Sequence, residues 1–426
     1  MVQRRSATVA LAAGALLALA GCASGPSGPA GRPMVHRGEV RAVGLGSLTA
    51  LDVAAAQTAF GIDLLHAVCA EKPGENLVLS PTSAAEALGL LYPAARGETA
   101  ARIAQLLHLP AWSPDLVAAV QQHTQALAGL AAPAGTDLKS KDAPDSLRVS
   151  NRLWTAVGAD PTPQYLDDVA TAFDAGVEAL DFRSDPDGST DRINEQVSDD
   201  TAGLVEKLLD PPLTPDTYAV LTNALHLDAS WLSPFADTDQ RPFAAPGGER
   251  QVGMMHGAVG TARTADGWVA VELPYRDGTL AALAVLPPDG TDPCAVATDT
   301  LDALAAARSE PAAVVLPPLY VEQSHELLET LVALGLPRTG DFHGLGSADV
   351  EIARVVQKTY LAVDEQGTEA AAATAVVMEA TSAMVAPAQE VVFDRPFLLL
   401  LTDTATGSPL FTAVIQDPSV ATPARD

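Results

Sequence analysis

The feature that most constrains the fold is a small-residue stretch near the C-terminus, from Asp364 to Glu390. Between Thr368 and Thr381 every even position is small or apolar, and both glutamates fall on odd positions. Ala and Glu favour a helix by propensity, but Gly367 weakens that prediction. A period of two instead indicates a segment that can bury one face as a strand and keep its charges on the other. The alternative is an exposed Ala-rich connector, which has no reason to keep this alternation.

Length and charge narrow the possible functions. The chain has 426 residues, of which 48% are hydrophobic, enough for one large domain or two smaller ones. The formal net charge of −28 argues against a nucleic-acid partner, which needs a basic footprint. It also argues against electrostatic attachment to anionic lipid. With only three cysteines, the chain is not a disulfide scaffold.

Residues 1–21 read as a lipoprotein signal peptide. Two arginines precede an apolar run from Val9 to Ala20, which is too short to span a bilayer stably. The sequence Leu19-Ala20-Gly21-Cys22 resembles a bacterial lipobox, in which Cys22 is lipidated and becomes the mature N-terminus. A plain secretory signal with an incidental cysteine is the alternative. We therefore expect an exported protein, anchored by lipid on the extracellular or periplasmic face of a cell membrane.

Two further features follow from export. Residues 22–47 are interpreted as a lipid-anchored flexible tether, because their first part is rich in Gly, Ser and Pro. Cys69 and Cys294 remain in the exported chain, and an oxidising compartment permits a disulfide between them. Two buried free thiols are the alternative, and the sequence leaves both open.

The small-residue stretch from Asp364 to Glu390 has a recognisable pattern. Glu365-Gln366-Gly367-Thr368-Glu369, followed by four alanines and Thr374, resembles the hinge of the reactive-centre loop of inhibitory serpins. Other segments resemble serpin motifs in the same order along residues 48–418. These are Asn76–Leu109 with its Ser80-Pro81-Thr82-Ser83 run, Asn223-Ala224 with Trp231 and Phe235 downstream, Glu272-Leu273-Pro274-Tyr275, Phe393–Leu400 and Leu410–Pro418.

The resemblance implies an α+β fold with three β-sheets, about nine helices and an exposed reactive-centre loop. The serpin domain would span residues 48–420, with the loop at 365–390 and a C-terminal tail at 421–426. It implies a suicide-substrate inhibitor of serine proteases: the protease acylates on the loop, which inserts into the central sheet and traps the acyl-enzyme. Such an inhibitor needs no catalytic residue, metal or cofactor of its own, and is expected to act as a monomer.

The resemblance also assigns site residues. The hinge comprises Glu365, Gly367, Thr368, Glu369, Ala370, Ala371, Ala372, Ala373 and Thr374. Family spacing places the reactive bond 16 residues after Glu365, at Thr381–Ser382. The bond before Thr381 and the bond after Met384 are alternatives. A small β-branched residue suits elastase-like or subtilisin-like proteases, and the loop from Glu369 to Glu390 has no Lys or Arg for a trypsin-like enzyme.

A polar cluster under the opening sheet is implied as well, formed by Ser80, Ser83, Asn223 and Gln357. An asparagine at position 223 lies within an apolar strand face, where it must find hydrogen-bond partners. The family usually carries His at the position of Gln357. Gln can still bond both ways, but it cannot titrate.

Competing functions find less support. The chain has no Gly-x-Ser-x-Gly elbow, no phosphate-binding loop and no Cys-x-x-Cys pair, so an anchored hydrolase lacks a recognisable nucleophile. A non-inhibitory serpin, acting as a carrier or folding factor, is the main alternative. Such proteins tend to carry bulky or charged hinge residues, whereas this hinge has Thr368 and four alanines.

Overall fold

The apolar and alternating segments form two large sheets with helices packed around them. The computed structural model describes residues 34–133, 136, 144–201, 203, 205–368 and 389–420. The α-helices within these ranges are α1 (Ala50–Glu71), α2 (Pro81–Leu91), α3 (Gly97–Leu106), α4 (Pro114–Ala128), α5 (Pro163–Phe173), α6 (Pro186–Asp200), α7 (Thr298–Ala306) and α8 (Leu328–Ala333). Short 3-10 turns lie at Tyr92–Ala94, Pro293–Ala295 and His343–Leu345.

The strands differ in burial: β-strands such as Val177–Leu180 and Pro409–Ile415 are buried along their whole length, whereas Gly248–Ala265 is exposed at its start. They are β1 (Met34–His36), β2 (Leu77–Leu79), β3 (Ser146–Ala156), β4 (Val177–Leu180), β5 (Ala219–Ser230), β6 (Asp237–Ala245), β7 (Gly248–Ala265), β8 (Trp268–Pro274), β9 (Leu280–Leu286), β10 (Glu310–Leu316), β11 (Leu319–Glu326), β12 (Thr339–Phe342), β13 (Ser347–Val363), β14 (Gly367–Thr368), β15 (Gln389–Val392), β16 (Phe397–Asp403) and β17 (Pro409–Ile415).

The strands pair into two sheets within the described residues. The main sheet has the order β1-β4-β3-β5-β14-β13-β11, with β12 beside β13. The second has the order β15-β10-β7-β8-β9-β16-β17-β2, with β6 beside β7. Three sheets were expected. The pairings join two of them, because the 18-residue β7 pairs with β6 along its first half and with β8 and β10 further on.

Four helices begin with the same local signal. A Ser, Thr or Asp side chain accepts a hydrogen bond from a backbone N–H of the first turn, and a proline follows directly. The capping side chain satisfies an orphan donor, and proline costs nothing at a position that lacks an intrahelical partner. In α2 the cap is Ser80, whose Oγ accepts from the N–H of Ser83. This cap fixes where α2 starts beneath the main sheet.

α1 and α2 form the centre of the core. α1 is long and apolar enough to cross a bilayer by composition alone, but 61% of that window is buried, as in the core helix of a soluble domain. Cys69 near the end of α1 is disulfide-bonded to Cys294, which settles the open alternative of two free thiols. The bond closes a sequence separation of 225 residues. Such a closure stabilises a fold by about 5 kcal/mol in the loop-entropy model.

The N-terminal segment 34–47 is part of the domain. β1 pairs with β4 at the edge of the main sheet. Beyond it, Arg37 forms an ion pair with Asp174, and Arg41 forms one with Asp168. The interpretation as a flexible tether is therefore wrong for this segment, because contacts with α5 and the sheet edge hold it. The preceding residues of the expected tether lie outside the described residues.

Candidate functional site: the hinge and the buried cluster

Two residues of the predicted hinge lie inside the main sheet. β14, formed by Gly367 and Thr368, lies between β5 and β13. Thr368 stands opposite Ala229 of β5 and Val363 of β13, both in antiparallel register. Further down, β5 and β13 pair directly with each other, starting at Leu225 and Thr359. The hinge therefore occupies the first two positions of a strand at the point where the two neighbours separate.

Thr368 faces inward, as the alternation predicted. Its side chain is 2% exposed, and its Oγ1 lies 2.5 Å from the hydroxyl oxygen of Tyr275. Tyr275 stacks on Trp231 with ring centroids 4.4 Å apart and planes at 11°. Burial raises the pKa of Tyr275, so its hydroxyl keeps its proton and can bond to the threonine. The hinge threonine is thus held by an aromatic pair beneath the sheet.

Gly367 is required by close approach of two backbones. A Cβ at this position would lie 2.1 Å from the carbonyl oxygen of Ala229 and 2.9 Å from the Cα of Ser230. Both contacts are with backbone atoms of β5, which cannot move aside as a flexible side chain could. Any residue larger than glycine would therefore push β14 away from β5.

The turn before the hinge is fixed by its own side chain. The carboxylate of Asp364 accepts from the N–H groups of Gln366 at 2.8 Å and Gly367 at 3.1 Å. Burial raises the pKa of Asp364, and these two N–H groups oppose that effect. Trp231 donates its indole N–H to the carbonyl of Asp364 at 3.0 Å and its backbone N–H to that of Gln366 at 2.8 Å.

Glu365 lies in the same turn. Its carbonyl accepts from the N–H of Phe235 at 2.9 Å, and its carboxylate accepts from the hydroxyl of Thr238. Both partners lie just beyond the end of β5, in the connection to β6 and its start. The first hinge residue is therefore tied to the neighbouring connection rather than projecting from the surface.

The buried cluster brings the predicted polar residues together under the middle of the sheet. The amide of Gln357 bonds to both the N–H and the carbonyl of Ser80, each at 2.9 Å. Ser83 donates its hydroxyl to Oδ1 of Asn151 on β3 at 2.7 Å. The Gln357 amide thus bonds to both backbone groups of Ser80, as a neighbouring strand would do. Ser83 joins the same helix to β3.

Asn223 lies at the centre of this cluster without a partner of its own. It stands opposite Asn151 on β3 and Gln357 on β13 and is fully buried. Neither amide atom has a hydrogen-bond partner among the described residues. A buried polar group left unsatisfied costs about 1–3 kcal/mol. Among the described residues, the Asn223 amide therefore has unused hydrogen-bonding capacity where β5 meets β13.

Two members of the cluster were missed by sequence reasoning. Asn151 bonds to Ser83 and donates its amide N–H to the carboxyl of Glu86 at 2.6 Å. Burial raises the pKa of Glu86 to about 7, against a lowering effect of the bond from Asn151. A signal was present, because Glu86 is the sole charged residue in the otherwise neutral α2.

The chain is similar in sequence to a known protein family. The sequence profile of the Serpin family, described as serine protease inhibitor, matches residues 55–418. The chain belongs to the serpin family. A serpin-like protein of Thermococcus kodakarensis is 34% identical over 360 residues, covering 80% of this chain and 81% of that protein. The leukocyte elastase inhibitor of Bos taurus is 29% identical over 400 residues, covering 86% and 99%.

Solved structures share the serpin fold. Tengpin, a thermophilic serpin in its native state, superimposes with a TM-score of 0.73 at 22% identity, covering 89% of this chain and 97% of its own. Human thyroxine-binding globulin, solved in complex with its hormone, gives a TM-score of 0.73 at 25% identity, covering 87% and 100%. The α+β fold expected from the sequence is confirmed.

The rest of the predicted serpin site lies outside the described residues. This applies to Glu369, Ala370, Ala371, Ala372, Ala373, Thr374, the reactive-bond residues Thr381 and Ser382, and Cys22. Within the part of the chain that the structure describes, no group of three or more His, Cys, Asp or Glu side chains could hold a metal ion.

Proposed function

We propose that this serpin inhibits serine proteases by presenting residues 365–390 as a reactive-centre loop that inserts between β5 and β13 after acylation. The observation that carries the proposal is β14, because Gly367 and Thr368 already stand in register with both neighbouring strands. Membership of a family in which many proteins are serine protease inhibitors supports it. The small residues at alternate loop positions support it further, because they fit the space between buried side chains.

The observed register predicts where the inserted loop would lie. Extending it by six residues from Thr368 brings Thr374 opposite Asn223 of β5 and Gln357 of β13. The side chains of Ala370, Ala372 and Thr374 would share the inward face with Thr368. The threonine hydroxyl would then lie beside the unsatisfied amide of Asn223. Insertion would thus meet a hydrogen-bonding need that the native state leaves open.

The proposed chemistry belongs to the protease. Its serine oxygen attacks the carbonyl carbon of Thr381, the bond to the nitrogen of Ser382 breaks, and the new amine leaves on the C-terminal fragment. Thr381 stays esterified to the protease as an acyl-enzyme. Insertion of the cut loop carries the tethered protease across the sheet before water can release it.

The proposed targets are elastase-like or subtilisin-like enzymes with small S1 pockets. Similarity to leukocyte elastase inhibitors of cattle and humans, at 29% and 27% identity, supports the first class. N-terminal sequencing of the fragment released by the protease tests the bond, and we expect it to begin at Ser382. A fragment beginning at Thr381 or Val385 would move the bond to one of its neighbours.

A gel experiment separates inhibitor from carrier. Incubation with an elastase-like, a subtilisin-like and a trypsin-like protease should give complexes stable to denaturation with the first two alone. Proteases whose active-site serine has been blocked should give none. Cleavage without any complex would favour the non-inhibitory alternative, and a complex with the trypsin-like protease alone would refute the proposed targets.

We further propose that the protein is exported and held on a cell membrane by lipid on Cys22, where it acts as a monomer. The Cys69–Cys294 disulfide supports export, because such bonds persist in oxidising compartments. Cys22→Ser should release the protein or block its processing. A variant that still partitions with membranes like the wild type would show that another feature anchors it.

A further inference from the structure

A chain of polar side chains runs beneath the main sheet, from β3 through two helices to the β16–β17 hairpin. Asn151 donates to Oε2 of Glu86 at 2.6 Å, and Oε1 of Glu86 lies 3.7 Å from Nδ1 of His123 on α4. The other ring nitrogen of His123 lies 2.8 Å from Oγ of Ser408. Only 1% of the His123 side chain and 12% of the Glu86 side chain are exposed.

The hairpin end of the chain fixes which nitrogen of His123 carries a proton. Thr406 donates its hydroxyl to the carboxylate of Asp403 at 2.5 Å, so its oxygen must accept from Ser408, 2.6 Å away. Ser408 has a single hydroxyl proton. Its oxygen therefore accepts from Nε2 of His123. In a neutral ring, this leaves Nδ1 as an acceptor.

One proton between His123 and Glu86 would complete this count. Without it, Nδ1 and Oε1 are two acceptors facing each other at 3.7 Å, a separation just beyond a direct hydrogen bond. A proton on Nδ1 would make a buried ion pair, and a proton on Oε1 a neutral pair. Removing both charges from water is costly, so burial favours the neutral pair.

Among the described residues, burial and the hydrogen bond from Asn151 set the pKa of Glu86, with no contribution from a cation. Asn151 faces Glu86 from β3, and Asp403 acts on His123 from the hairpin. Tyr92 lines the same cavity as these two side chains and donates its hydroxyl to the carbonyl of Pro110. Asp403 favours a charged ring, but burial outweighs it and lowers the pKa of His123 to about 4. Burial likewise raises the pKa of Glu86 to about 7.

We propose that Glu86 and His123 form a proton-binding site beneath the main sheet, in which protonated Glu86 donates to neutral His123. Loss of this proton leaves a carboxylate against an acceptor nitrogen and breaks the chain between β3 and the C-terminal hairpin. The stability of the native state is thereby linked to pH close to neutrality.

The two groups affect stability in opposite directions. The pKa of Glu86 is raised from 4.5 to about 7. Its contribution to the stability of the native state is therefore fully present below pH 4.5 and is lost as the pH rises through 7. The pKa of His123 is lowered from 6.5 to about 4, so its contribution is present above 6.5 and is lost as pH falls through 4. Between 4.5 and 6.5 the two effects cancel, because folding transfers one proton from the histidine to the glutamate.

Glu86→Gln tests the site, because the amide supplies a permanent donor to Nδ1 and cannot titrate. Urea unfolding of the uncleaved protein should be followed from pH 4.5 to 8.5. The ratio of the wild-type unfolding constant to that of the variant should rise about tenfold per pH unit up to about pH 7 and then level off. As a matched control, Glu98→Gln removes an exposed carboxyl paired with Arg102 and should run parallel to the wild type.

Parallel curves for wild type and Glu86→Gln would mean that Glu86 is ionised in the native state, for instance bridged to His123 by water, and would overturn the proposal. A second measurement needs no variant. Nitrogen NMR of the wild-type ring at pH 6 should find His123 neutral, with its proton on Nε2. A charged ring, or a proton on Nδ1, would also overturn it.

Discussion

At the scale of single residues, the hinge depends on two side-chain sizes. Thr368 is buried against Tyr275, and Gly367 touches the backbone of β5. Substitutions here act on the native state as well as on the insertion that we propose. The two positions therefore need different tests, one for buried charge and one for backbone contact.

Thr368→Arg should separate cleavage from trapping. A long cation in the sheet is a buried unpaired charge, which carries a penalty of several kcal/mol. It would expel β14 from the sheet and oppose insertion, while acylation further along the loop would proceed. We expect cleavage at the same bond without a covalent complex on a denaturing gel. Thr368→Ser keeps a small hydroxyl and should still trap, whereas an arginine variant that traps at wild-type stoichiometry would refute insertion.

Gly367→Ala should lower the stability of the uncleaved protein by about 1–3 kcal/mol, a typical cost of overpacking. The reason is the 2.1 Å approach of a Cβ to the carbonyl of Ala229. Gly44→Ala is the matched control, since a Cβ there meets nothing within 4 Å. Urea unfolding of both variants measures the difference. Equal stabilities would show that β14 moves aside without cost.

At the scale of elements, the N-terminal segment supports the edge of the main sheet. Arg41→Ala would leave Asp168, which is 7% exposed, without its cation and should cost about 1–2 kcal/mol. Arg37→Ala breaks a pair whose side chains are 52% and 78% exposed and should cost less than about 1 kcal/mol. Thermal unfolding of the two variants checks the order. A larger loss for Arg37→Ala would contradict the packing described for this segment.

At the scale of the whole molecule, cleavage should change the stability of the fold. Among the described residues, Gly367 and Thr368 lie between β5 and β13, and the side chain of Asn223 has no hydrogen-bond partner. Complete insertion would add backbone ladder bonds and place Thr374 beside that amide. We therefore expect cleaved wild type to unfold at a much higher temperature than the uncleaved protein. A melting temperature unchanged by cleavage would mean that the loop does not insert.

The sequence alone predicted the features that depend on local periodicity or on ordered motifs. Alternation over Thr368 to Thr381 implied that Thr368 faces inward, because strand side chains alternate whatever the partner strands are. The serpin motifs implied the cluster of Ser80, Ser83 and Gln357 around Asn223. In the structure these residues are buried, and Ser80 bonds to both Gln357 and Ser83.

Tertiary structure decided the features that depend on distances between remote residues. The Cys69–Cys294 bond and the place of Glu86 beside His123 belong here, as does the entry of β14 into the sheet. The composition of the N-terminal segment predicted a tether. Its contacts with α5 produce no pattern in its own sequence, because the partner residues are remote in the chain. A side chain's charge, partner and packing depend on which groups the fold brings near it, and no local pattern encodes them.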